Sequence, residues 1–275
     1  MTIDYEAEYN NRARVPEHPG LIAGWARDAA AYRETARGEL GLAYGPTERT
    51  KLDLFGDGSG PIVLFIHGGY WQGLDRASFS HLARGLVSRG FTMALPSYDL
   101  CPAVTVATIV DQIRQACAFL WRRFERPITV AGHSAGGHLA ACMLATRWRE
   151  VDPALPPGLA HAAYGISGLY DLAPLVGTSV NTALGLDAAE AKRLSPLFWE
   201  APRGKVFDAV VGGGESGEYL RQSRSIAEAW GNAGVMTRYE ALEGENHFTV
   251  IAPLADPESP MTRRLAQLAE MAGNP

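Results

Sequence analysis

"ITVAGHSAGGHLAACMLATRW", residues Ile128 to Trp148, passes from a short apolar run with β-branched residues into a longer run of small residues, with one tight turn between them at Gly132 to Gly136. A short apolar run that ends in glycine reads as a buried strand. The small-residue run after it reads as a helix that packs closely on that strand. Strand, turn and helix in this order are the unit from which parallel sheets are built.

The alternation repeats on both sides of this stretch. "LGLAYG", "KLDLF", "IVLFIHGG" and "FTMALPSYDL" precede it as strand candidates, and "HAAYGISGLYDL", "VFDAVVGGG" and "MTRYEALEG" follow, making eight strands in all. Helical patterns separate them: "FSHLARGLVSRG", "EYLRQSRSIAEAWGNAG" and a closing "SPMTRRLAQLAEMAG", with Ser259 as its N-cap. The clearest helix carries Val106, Ile109, Val110, Ile113, Cys117, Leu120 and Trp121 at i, i+3, i+4, i+7 spacing, with Asp111, Gln112, Arg114 and Gln115 mostly on the other face. Together these patterns predict an α/β fold: a mostly parallel eight-stranded sheet with helices on both faces. Residues up to about Gly38, including "GWARDAAAYRETARG", read as a polar helical extension. Residues 173–204 read as an irregular, proline-containing, cap-like excursion above the sheet, and residues 1–275 as a single domain.

Composition narrows the class of function. The chain has 275 residues, 47% of them hydrophobic, and a net charge of −5 with no basic stripe, so nucleic acid is not an expected partner. No apolar stretch approaches the roughly 20 residues of a membrane helix, and the N-terminal residues lack the apolar run of a signal peptide. A soluble, cytoplasmic protein without membrane contacts is expected, with a homodimer as one option for its assembly. Cys101, Cys117 and Cys142 show no C-x-x-C spacing and read as buried hydrophobes. "GDGSGP" leads into a strand, so it offers no helix N-terminus on which to hold a phosphate.

The chemistry concentrates at four places. G-x-S-x-G spans Gly132 to Gly136, and a serine between a buried strand and a helix sits on a strained turn whose flanking glycines avoid collision with neighbouring backbone. Ser134 is therefore the candidate nucleophile; a plain N-cap serine would not need glycine on both sides. Its hydroxyl needs a base, and the base needs an orienting acid. His247 in "GENHFTV" follows the last strand, where the base falls in the chain order serine, acid, histidine. His133 and His138 flank the serine but lack the carboxylate partner or H-E-x-x-H pattern of a metal site. His18, His81 and His161 read as structural. The acid should follow "VFDAVVGGG". Asp208 lies inside that strand, and Glu218 begins the next helix, where the dipole already explains it. Glu215 is preferred, and Asp171 after "GISGLY" is the alternative. The oxyanion donors should be the amide of Ala135 and those of Gly68 and Gly69 in "HGG", where bare backbone can approach the reacting atom.

"HGGYW", "GHSAGGH", an acid after a glycine-ended strand and "NHF" together resemble the α/β-hydrolase fold, in particular its H-G-G-x-W branch of kynurenine formamidases (arylformamidases). "YNNRARVPEH" near the N-terminus and "SGLYDLAPL" after the sixth strand extend the likeness over most of the chain, and Trp71 is its most specific mark. The resemblance implies a triad of Ser134, Glu215 and His247, an oxyanion hole of Gly68, Gly69 and Ala135, and no metal or organic cofactor. It implies a small-molecule substrate, an N-formyl arylamine such as N-formylkynurenine or an aryl ester, cleaved through an acyl-serine. A broad carboxylesterase is the alternative within this mechanism, and a non-catalytic ligand-binding module the alternative outside it. Tyr70, Trp71 and Phe248 border the expected site and are read as substrate-binding. In that reading Tyr70 and Trp71 limit the acyl group and stack on the leaving group.

Overall fold

A computed structural model describes residues 3–271. Ala272 and Gly273 of the expected closing helix lie outside the described residues. The eight strands are β1 (Gly38–Ala43), β2 (Lys51–Phe55), β3 (Ile62–Ile66), β4 (Thr92–Pro96), β5 (Ile128–His133), β6 (Ala160–Ile166), β7 (Val206–Gly212) and β8 (Met236–Leu242). They form one sheet in the order β1-β2-β4-β3-β5-β6-β7-β8. β2 pairs antiparallel with both β1 and β4, and every other pairing is parallel. The expected α/β-hydrolase sheet is therefore present.

The helices are α1 (Tyr5–Tyr9), α2 (Asn11–Arg14), α3 (His18–Thr35), α4 (Ala83–Val87), α5 (Val106–Phe124), α6 (Ala135–Ala145), α7 (Trp148–Val151), α8 (Asn181–Leu184), α9 (Ala188–Arg193), α10 (Gly217–Asn232) and α11 (Pro260–Glu270). The helix expected over "FSHLARGLVSRG" is shorter than its pattern: Ser80–Leu82 is wound as a 3-10 turn, and only Ala83–Val87 is α-helical.

β3 shows why the central strands are uniformly apolar. Ile62, Leu64 and Ile66 join the core on one face, with α5, α6 and α10, while Val63 and Phe65 join the core on the other, with α4 and α11. A strand buried on both faces has no polar side to write into its sequence. α5 is capped by Thr105, whose side chain accepts from Thr108 N, and ends at Glu125 in the left-handed region. Its Ile109, Ile113 and Leu120 are fully buried, worth roughly 1.5–3 kcal/mol apiece relative to exposure. Gln112, expected on the polar face, is instead buried: it accepts from Asp99 N at 2.9 Å and donates to the Asp99 carboxylate at 2.7 Å. At the outer edge, β8 carries the Arg238–Glu240 pair, charges that discourage further strand pairing.

Register decides where the loops meet. Ile66 pairs with Gly132, His133 with Ile166, and Ile166 with Val210, so the C-terminal ends of β3, β5, β6 and β7 fall along one edge of the sheet. Loops leaving that edge converge, which is where open α/β sheets bind their ligands.

Candidate active site

Ser134 lies between β5 and α6 with φ 57° and ψ −119°, and its N–H donates to Ile166 O at 2.8 Å. A non-glycine residue in this region stores roughly 1–3 kcal/mol of strain, and it persists only where the surroundings enforce it. The enforcement comes from close backbone contact. A Cβ on Gly136 would sit 2.0 Å from Ile66 O, and one on Gly132 would sit 2.1 Å from Gly136 O. Ser134 occupies the N-cap position of α6 but makes no side-chain capping bond. Its hydroxyl is left for other partners at the positive end of a helix dipole.

The loop after β7 brings Glu215 to His247. His247 Nδ1–H donates to Glu215 Oε2 at 2.6 Å, and the other carboxylate oxygen accepts from Ser167 Oγ at 2.5 Å and Gly212 N at 2.7 Å. The Glu215 side chain is fully buried. With its carboxylate accepting three hydrogen bonds, it has little freedom to turn away. The other carboxylates face elsewhere. Asp171 accepts from Ala173 N and lies 4.0 Å from Arg221, Glu218 is paired with Arg221 at 2.7 Å, and Asp208 inside β7 pairs with Arg264 at 2.7 Å. His133 Nε2–H donates to the His247 carbonyl at 2.8 Å, and its ring lies 4.8 Å from that of His247. Burial, and then the neighbouring His247, hold its pKa well below the ordinary histidine value, so it serves as a neutral donor. His138 points away from the serine to donate to Leu194 O at 2.7 Å. Among the described residues, no group of three or more His, Cys, Asp or Glu is placed to hold a metal ion.

The loop after β3 runs against the serine. A Cβ on Gly68 would sit 3.0 Å from Ser134 Cβ and 2.9 Å from His133 O, so only bare backbone fits there. The N–H groups of Gly68, Gly69 and Ala135 have no acceptor among the described residues. Gly69, Tyr70 and Trp71 all have positive φ (108°, 50° and 57°), and the two aromatics go to different places. Tyr70 lines a cavity of about 510 Å³ that also reaches Ser134, His133, His247, Trp25 and Phe248. Trp71, expected to bind substrate, lies elsewhere. Its indole is fully buried, edge-on to His138 with ring centroids 5.1 Å apart, and it forms no part of the cavity wall. It anchors the loop to α6, beneath the site.

Residues 53–156 match the BD-FAE family. The chain is 37% identical to a crystal structure of a thioesterase candidate from Silicibacter sp. TM1040, which it superposes on with a TM-score of 0.83 over 95% of this chain and 98% of that one. It is 29% identical over 210 residues to the isoprenylcysteine alpha-carbonyl methylesterase of Arabidopsis thaliana, covering 70% of this chain and 49% of that protein. It is 31% identical over 241 residues to the kynurenine formamidase of Danio rerio, covering 83% of this chain and 81% of that protein. The chain belongs to the kynurenine formamidase family. It is an α/β-hydrolase enzyme that acts on a small-molecule substrate.

In this member of the kynurenine formamidase family the N-terminal extension is part of the site. Asn11 Nδ2 donates to Tyr219 OH at 2.8 Å, Tyr219 OH lies 2.7 Å from Tyr70 OH, and Tyr70 OH donates to Tyr9 O at 2.6 Å. Burial raises the pKa of both phenols, so they remain donors. The Tyr219 ring lies 4.6 Å from that of His247. Trp25 of α3 stacks toward Phe248 and meets His133 edge-on. None of Asn11, Trp25, Ser167 or Tyr219 was singled out in the sequence. Ser167 alone had a usable signal: it directly follows a parallel strand, on the edge where Ser134 and Glu215 also lie.

Proposed function

We propose that this hydrolase cleaves N-formylkynurenine to kynurenine and formate, with Ser134 as nucleophile, His247 as general base and acid, and Glu215 as the group that orients His247. The observation that carries the reading is the meeting of the buried Glu215–His247 pair with a serine at φ 57°, in an aromatic-walled cavity of a kynurenine formamidase family member. About 510 Å³ is within the usual range for a site that encloses a small ligand.

Ser134 Oγ attacks the formyl carbon while His247 Nε2 takes its proton, and Glu215 stabilises the imidazolium through Nδ1–H. The carbonyl oxygen becomes an oxyanion beside the unengaged N–H groups of Gly68, Gly69 and Ala135; losing one such donor typically lowers turnover roughly 10²–10³-fold. His247 returns the proton to the leaving arylamine. Water then cleaves the formyl-serine by the same steps, releasing formate and free Ser134. Tyr70 and Phe248 flank the arylamine, and the site of action is the cytoplasm. Among the described residues, no helix is long and apolar enough to cross a membrane.

Ser167 is a positioning residue in this scheme. Ser167→Ala leaves Glu215 Oε1 with only the Gly212 N–H, and a hydrogen bond to a buried carboxylate is worth about 1.5–3 kcal/mol. Steady-state kinetics should show kcat lower by roughly tenfold at nearly constant KM. An unchanged kcat would show that Gly212 suffices.

The methylesterase relative favours a second reading, a carboxylesterase of broad scope. Comparing kcat/KM for N-formylkynurenine with that for simple aryl esters separates the two. A preference of more than about tenfold for the formamide, some 1.4 kcal/mol of transition-state discrimination, supports the formamidase. A smaller one favours the esterase.

A further inference from the structure

The mouth of the cavity carries polar groups that the acyl transfer does not use: Glu6, Asn10, Arg12 and Ser179. Three of the four come from α1, α2 and the residue between them. This short segment is firmly held. Asp4 and Asn10 cap its two helices, Tyr9 OH donates to Glu218 at 2.8 Å, Glu8 accepts from Glu218 N at 2.9 Å, and Asn11 is bonded to Tyr219. Arg12 is thus an exposed side chain on a fixed mount.

Arg12 is the only arginine or lysine lining the cavity, and it makes no ion pair among the described residues. Among the described residues Glu6 is the only carboxylate lining it. Both Glu6 oxygens are oriented by Ser179, accepting from its N–H and its hydroxyl at 2.7 Å each. Those two bonds hold the Glu6 carboxyl below the usual carboxylate range, so it stays ionised. Ile22, Trp25, Leu74 and Phe248 give the cavity an apolar and aromatic side, beside the polar Asn11, Gln72 and His133, and Ser134 and His247 line it too. An unpaired guanidinium on a held segment and an oriented carboxylate, with aromatic side chains and a nucleophile in the same cavity, make a site for an aromatic molecule that is zwitterionic at the end away from the scissile bond.

We infer that Arg12 and Glu6 form a subsite for a free α-amino-acid group, with the ligand carboxylate on Arg12 and its ammonium on Glu6. This deepens the formamidase reading and rests on it: the substrate class becomes N-formyl arylamines that carry an amino-acid side chain, of which N-formylkynurenine is one. Arginine suits the task because its planar fork meets a carboxylate with two parallel hydrogen bonds. At a solvated mouth such a pair contributes modestly, so the subsite selects among substrates and takes no part in the chemistry.

The test crosses enzyme and substrate. Steady-state kcat/KM is measured for the wild type, R12K and R12Q, each with N-formylkynurenine and with formanilide, which has the scissile amide and ring but no amino-acid group. In R12Q the ratio of the two values should fall about fivefold, mainly through KM for N-formylkynurenine. R12K, which keeps the charge but not the fork, should fall between. A wild type that prefers N-formylkynurenine, with R12Q keeping that preference within twofold, overturns the subsite and leaves the formamidase reading intact. A wild type that treats the two formamides alike overturns the subsite at its premise. Failure of the formamidase reading shows separately, as no turnover of either formamide by an enzyme that hydrolyses aryl esters.

Discussion

Ser134→Ala should lower kcat toward N-formylkynurenine on the order of 10⁵-fold, the largest loss expected from any single substitution in this protein. The substitution removes the only atom proposed to form a bond with the substrate. It leaves the surroundings nearly unchanged, because the Ser134 hydroxyl caps no backbone group and alanine tolerates φ 57° about as poorly as serine does. Stability should therefore stay within about 1 kcal/mol of wild type, so a thermal melt can separate lost chemistry from lost fold. A fluorophosphonate should label the wild type and leave Ser134→Ala unlabelled. The double variant Ser134→Ala/His247→Ala should be no slower than Ser134→Ala alone, because residues that act as a unit do not lose activity additively. Activity within tenfold of wild type in Ser134→Ala would place the nucleophile elsewhere.

The fold was legible because its signals are local and redundant. β3 and β5 are buried on both faces; β3 announces itself as an unbroken apolar run and β5 as an apolar run interrupted only by Thr129 before Gly132, while α5 has one buried stripe and repeats at helical spacing. Both periods follow from backbone geometry alone, and so does their alternation into a parallel sheet. Boundaries were less legible. β6 stops at Ile166 although "SGLYDL" continues with strand-like composition, since Ser167 turns to φ 51° and the chain leaves the sheet there.

The candidate site divides along the same line. Ser134 and its glycines form one local device whose steric demands are written in five consecutive residues. Glu215 could be preferred over Asp171 and Glu218 because it stands in the loop directly after "VFDAVVGGG", the strand expected to carry the acid. Ser167, Asn11 and Tyr219 could not be found this way: Ser167 meets Glu215 across 48 positions and Asn11 meets Tyr219 across 208, so their roles exist only once the sheet is assembled. The place of Trp71 is hidden from the sequence for a related reason. Neighbours in the chain do not share a direction even in regular backbone, and here three successive residues at positive φ send Tyr70 to the cavity and Trp71 under the loop. The N-terminal extension, polar and weakly patterned in sequence, proves to carry one wall of the cavity.

Glu215→Gln tests the orienting role more sharply than truncation does. Glutamine matches glutamate in shape, but its amide has one acceptor and one donor end. In the native arrangement Oε1 accepts from Ser167 Oγ and Gly212 N, so the glutamine oxygen must occupy that position, where two buried donors would otherwise be orphaned. The NH₂ then faces His247 Nδ1, which must become an acceptor. That forces the imidazole proton onto Nε2, the nitrogen that has to be free to take a proton from Ser134. The expected result is a fall in kcat of roughly 10³–10⁴-fold with KM little changed and stability nearly native. Glu215→Ala leaves His247 free to adopt either tautomer, so it should be no less active than the glutamine variant despite removing more atoms. If Glu215→Gln proves clearly more active than Glu215→Ala, the carboxylate acts here through packing or charge rather than by fixing the tautomer of His247.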